Sequence, residues 1–115
     1  MSQSVDTDNL EMLKEVIGDD LIEILQAYLD TTPAIMMKIQ SSLNMGDAAS
    51  VQLNAHTLKG SSANIGATLL PDLSAQLESL AKAGDLSTQA ESIYSSIIQE
   101  DRNVSLFLKT YIQQF

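Results

Sequence analysis

Apolar residues recur along this chain at steps of three and four, the spacing of one face of an α-helix. The pattern falls into blocks. Leu10, Leu13, Val16 and Ile17 form the first, and Asp8 with Glu11 resembles a capping box at its start. Gly18 ends or bends this short helix. Leu21, Ile22, Leu25, Tyr28 and Leu29 open a longer block, which Thr31-Thr32-Pro33 interrupts. Proline lacks the backbone donor and clashes with the carbonyl four residues back. The helix therefore either kinks near Asp30 or restarts with Thr32 as cap and Pro33 in its first turn. Ile35, Met36, Ile39 and Leu43 continue the pattern to Asn44.

Gly46-Asp47 reads as a helix stop followed by a new cap. The next helix is predicted from about Ala48 to Ile65 or Ala67, with Val51, Ala55, Leu58, Ser62 and Ile65 as its inward seam. Thr68 to Pro71 reads as a junction. Leu73, Leu77 and Leu80 mark a helix ending at Gly84, and Asp85 to Thr88 a short linker. Ile93, Ile97, Val104, Leu108 and Ile112 predict a final helix or helix pair running to the C-terminus. No strand-like alternation of useful length appears, and no internal repeat. The expected fold is all-α: an antiparallel up-down four-helix bundle with a short additional N-terminal helix. Residues 1–6 are expected to form a flexible lead, and 7–115 a single domain.

Composition narrows the function. The 115 residues are 44% hydrophobic but only 4% aromatic, so the core must be aliphatic. Without cysteine there is no disulfide or thiolate chemistry. Six basic against fifteen acidic residues give a formal charge of -9. That charge repels nucleic-acid phosphates and anionic lipid headgroups, so neither nucleic acid nor membrane is an expected partner. No apolar run approaches the roughly 18 residues that span a bilayer. The N-terminus has no basic segment followed by an apolar stretch, as a signal peptide would. A cytoplasmic location is expected. Met1 and the short ends favour a free-standing protein, and one inward seam per helix favours a monomer.

The candidate chemistry lies in Ala55-His56-Thr57-Leu58-Lys59-Gly60-Ser61-Ser62-Ala63-Asn64-Ile65-Gly66-Ala67. If Leu58 and Ile65 face the core, His56 faces solvent. It shares its face with Gln52, Lys59, Gly60 and, one turn further on, Ala63. A lone helical histidine is ordinarily a surface residue without a role, and its neighbours change that reading here. Imidazole can be a neutral nucleophile near neutral pH, and its lone pair can attack an acyl phosphate to form a phosphoramidate. Lys59 places a positive charge one turn away, where it can pair with phosphoryl oxygens. Gly60 costs its helix on the order of 1 kcal/mol relative to alanine. Either another protein's active site must approach there or two helices cross there. With Ala63 and Ala67, Gly60 would form a low strip beside His56. Ser61 and Ser62 read as packing and local backbone partners, and Gly66 as a helix end. Met36, Met37 and Met45 read as packing. Asp19-Asp20 and Glu100-Asp101 read as solvated helix ends.

A metal site is not expected at His56, because the chain has no second histidine and no cysteine. Ser61 or Ser62 as a hydrolytic nucleophile lacks an orienting acid.

The segment closely resembles the signature of histidine phosphotransfer (HPt) domains, in which His-x-Leu-Lys-Gly-Ser precedes small residues and Gly-Ala. The stretch from Leu73 to Asp85 resembles the family's following helix. The resemblance covers helix order across most of the chain, the lead and the last 25 or so residues adding little. It implies a four-helix bundle whose histidine, here His56, accepts phosphoryl from a response-regulator receiver aspartate and relays it to another regulator. It implies that Lys59 supports the phosphorylated state and that Gly60 permits receiver docking. It implies a carrier without its own ATP site or cofactor, the Mg²⁺ of transfer belonging to the receiver, and a sensor or hybrid histidine kinase upstream. Pro33 departs from the family pattern, in which this helix is usually continuous. An alternative is a non-phosphorylated helical module that docks receiver or kinase domains. A phosphohistidine phosphatase would need water-positioning carboxylates near His56, and the motif helix offers none. Whether Glu78 faces the site is left open by sequence.

Overall fold

The predicted seams become the faces of five helices in a computed structural model that describes residues 3–115. They are α1 (Thr7–Ile17), α2 (Asp20–Met45), α3 (Ala48–Asn64), α4 (Leu70–Lys82) and α5 (Thr88–Gln114). α2 packs on α3, α3 on α4, α4 on α5 and α5 back on α2, closing a four-helix ring with α1 against α2. The connections are too short for parallel neighbours, so successive helices run antiparallel.

The α3 seam is buried as predicted: Val51, Ala55, Leu58 and Ser62 lie inside, with Ile65 at the helix end. Burying one stripe of α3 fixes which residues the opposite stripe presents to solvent. The α2–α3 turn also follows the predicted chemistry. Gly46 takes a left-handed φ of 68°, and Asp47 caps α3 by accepting from the Ser50 amide at 3.1 Å.

Several expectations are corrected. Of the two readings at Pro33 the restart is excluded: α2 is one helix through Met45. Thr31 Oγ1 donates to the Ala27 carbonyl at 2.9 Å and Thr32 Oγ1 to the Tyr28 carbonyl at 2.6 Å. These back-bonds tie the Thr31 and Thr32 hydroxyls to the turn before the proline, whose missing donor would have gone to Leu29. α1 begins two residues earlier than the Asp8 box implied, because Asp6 is the cap, accepting from the Asn9 amide at 3.3 Å. α5 is a single helix, so Glu100 and Asp101 are mid-helix; Glu100 is buried and Asp101 partly so. Met37 and Met45 are exposed, leaving only Met36 of the three packed against the core.

The flexible lead is also corrected. Met1 and Ser2 lie outside the described residues, but Val5 is fully buried and pairs with Ala67 in an antiparallel bridge. The Asp6 amide donates to the Gly66 carbonyl at 2.8 Å and the Thr68 amide to the Ser4 carbonyl at 2.9 Å. Gly66 (φ 80°) packs so near that an added β-carbon would lie 2.8 Å from Asn9. The lead thus straps α1 to the α3–α4 turn. Val5→Ala should cost roughly 2 kcal/mol of unfolding free energy, the usual scale for deleting buried methyl groups. An unchanged urea midpoint would show that the strap adds nothing to stability.

Candidate functional site

α3 and α4 form an antiparallel hairpin centred on Ala67. His56 lies eleven residues before that centre and Glu78 eleven after, which brings them level across the two helices. The His56 side chain is 63% exposed, on the stripe opposite the buried seam. Its Nδ1 lies 2.8 Å from Glu78 Oε2. Lys59, one turn along α3, donates from Nζ to Glu78 Oε1 at 2.6 Å. One carboxylate therefore holds both motif residues, each by its own oxygen.

The charges support this arrangement. The Lys59 hydrogen bond is the main force holding the Glu78 carboxyl below the ordinary carboxylate range. Partial burial opposes it, and the bond with His56 adds to it. An ionised carboxylate can only accept, so Nδ1 carries the proton. In the neutral imidazole the lone pair is then on Nε2. That nitrogen has no hydrogen-bond partner among the described residues. The site thus presents an outward lone pair, a fixed ring and a cation within one helical turn.

The proposed docking residues divide. Gly60 and Ala63 are exposed on the His56 side of α3, and Gln52 is half-buried. A β-carbon built at Gly60 meets no atom within 4 Å, so no helix crosses there. Ala67 is excluded from the strip: it lies inside the Val5 bridge and is buried. Ser62 is buried, its Oγ donating to the Leu58 carbonyl at 2.6 Å, as a packing role requires. Leu53, three residues before His56, is 65% exposed, and no periodicity in the sequence marks it. Glu78 was open in the sequence, yet counting outward from the hairpin centre would have paired it with His56.

The sequence model of the Hpt domain matches residues 23–115. The chain belongs to the Hpt domain family. The match reaches the last residue, so all of α5 is part of the Hpt unit, where the motif resemblance alone gave that stretch little weight. Among solved structures, this Hpt chain is similar to histidine-containing phosphotransfer protein B (HptB) from Pseudomonas aeruginosa PAO1. The two are 27% identical, with a TM-score of 0.93 over 100% of this chain and 99% of that one. It is also similar to the HPT domain from the Hpt sensor hybrid histidine kinase from Shewanella. There the identity is 23% and the TM-score 0.84, over 97% of this chain and 96% of that one, a likeness of fold. No curated protein sequence matches the chain. Family membership gives this Hpt chain a role in histidine phosphotransfer, in which Hpt domains work with receiver domains and histidine kinases. Among the described residues, no helix is long and apolar enough to cross a membrane.

Proposed function

We propose that this chain takes a phosphoryl group on His56 Nε2 from the aspartyl phosphate of a receiver domain and relays it to another response regulator. The observation that carries the reading is the exposed His56 ring, fixed through Nδ1 by Glu78 and flanked by Lys59. The ring supplies a nucleophile already in the right tautomer, on a helix whose buried seam keeps it from turning. Positioning and charge stabilisation dominate phosphoryl transfer, and the bundle offers both. Gly60, Ala63 and Gln52, with Leu53 beside them, form the surface that a receiver meets. The acyl-phosphate donor and the Mg²⁺ of the step belong to the receiver, so the chain acts as a monomeric carrier without its own ATP site or cofactor. Its setting is the cytoplasm, where receivers and kinase domains act.

The direct test is transfer of labelled phosphoryl from a phosphorylated receiver domain, followed by acid and by alkali. Label lost in acid and kept in alkali is the expected result. No label from several different receivers would overturn the reading and favour docking without chemistry. Lys59→Ala should slow transfer about tenfold, the scale of one charge-assisted contact at a partly exposed site. The bundle should stay folded, because Lys59 reaches only the part-buried carboxylate of Glu78, which keeps its bond to His56. An unchanged transfer rate would remove Lys59 from its role.

A further inference from the structure

Attack by His56 Nε2 on an aspartyl phosphate forms an N–P bond and breaks a P–O bond. The electron pair of the broken bond leaves on the receiver's carboxylate. The ring, having given up its lone pair, is then cationic, with a proton still on Nδ1. Discharge reverses this: an oxygen of water or of a receiver's carboxylate bonds to phosphorus, the N–P bond breaks and its electron pair returns to Nε2. If the Nδ1 proton is present, the leaving group is neutral imidazole. If it has been lost, the leaving group is an anionic imidazolide, a far poorer one.

We propose that Glu78 holds the Nδ1 proton on phosphorylated His56 and so sets how readily the phosphoryl group leaves. The inference rests on the carrier reading above and makes Glu78 a positioning residue for discharge. Its Oε2 is within hydrogen-bond distance of Nδ1, and an anion there favours the cationic ring. Lys59, bonded to the other oxygen, opposes that effect and serves as counter-charge to the phosphoryl group. The charged groups facing the ring are Lys59 from α3 and Glu78 from α4. Lys82, a turn beyond Glu78, is exposed and forms no ion pair among the described residues. α2, the other helix packed on α3, brings no charged group into contact with the ring among the described residues. Because Lys59 and Glu78 pull in opposite directions, removing one or the other should move the lifetime of the phosphoryl group in opposite senses.

The experiment charges wild type, Glu78→Gln and Lys59→Ala with phosphoramidate, a small donor that needs no docked partner. Phosphoryl loss from the isolated proteins is then followed by phosphorus NMR from about pH 5 to about pH 10, across the range where imidazoles titrate. Glutamine can still accept from Nδ1, so this change removes the charge and keeps the hydrogen bond. Wild type should keep its fast loss to a pH about one unit higher than Glu78→Gln, so that the variant discharges up to about tenfold more slowly between the two midpoints. Onward transfer to an unphosphorylated receiver should slow in parallel, and Lys59→Ala should shift the profile the other way. Superimposable profiles for wild type and Glu78→Gln, with both loaded, would overturn this inference and leave the carrier reading standing. A wild-type chain that takes no phosphoryl at His56 would overturn both.

Discussion

His56→Gln is expected to abolish phosphorylation by a charged receiver while leaving the bundle intact. The chain contains no other imidazole and no cysteine, so nothing can take over the lone pair on Nε2. A carboxylate that captured phosphoryl instead would give an acyl phosphate, which alkali destroys and which the acid and alkali treatments would expose. The fold should hardly notice. The His56 side chain is largely in solvent, and the one bond it loses is to Glu78, which keeps its bond to Lys59. Surface changes of this kind stay within about 0.5 kcal/mol, and glutamine is a better helix former than histidine. Labelled transfer and thermal unfolding on the same preparation separate the two effects. Acid-labile, alkali-stable label on the variant would sink the assignment of His56.

What was legible in the sequence was whatever a single helix could encode. The seam from Val51 to Ile65 fixed the outward face of α3, and with it His56, Lys59 and Gly60. The Gly46-Asp47 turn was legible because backbone and capping chemistry act within a few residues. The misreadings at Val5 and Ala67 have a common physical cause, which is contact between elements. Val5 is one apolar residue among polar neighbours, with no period to reveal it, and it is buried because Ala67 receives it. Ala67 left the docking strip through that same contact. Pro33 is a different case, a proline that α2 carries in its interior without ending, from Asp20 to Met45. Glu78 differs from the others in that its partner follows from arithmetic, given that α3 and α4 form a hairpin. The carboxylate is absent from the motif because it comes from the neighbouring helix.

Gly60→Gln should block transfer from a receiver and leave the bundle as stable as before, or slightly more so. A mid-helix glycine is usually explained by a tight crossing or a left-handed backbone, and neither applies. The space above Gly60 is open, and its φ is not positive. By helix propensity alone almost any side chain would be an improvement, by up to about 1 kcal/mol for alanine. The constraint therefore comes from outside the chain, from a body that must pass over Gly60 to reach Nε2 one turn away. A glutamine side chain there stands in that path, and a displacement of about 1 Å in such a step costs on the order of a hundredfold. Transfer from a phosphorylated receiver should fall by at least that factor, about 2.7 kcal/mol in the barrier. Charging by phosphoramidate should be unaffected, because that donor is small enough to reach Nε2 past the new side chain. Gly60→Ala should give the stability gain with only a minor loss of transfer. Equal receiver binding and transfer for Gly60→Gln and wild type would mean that the receiver approaches from another side of His56, with Gln52 and Leu53 carrying the contact instead.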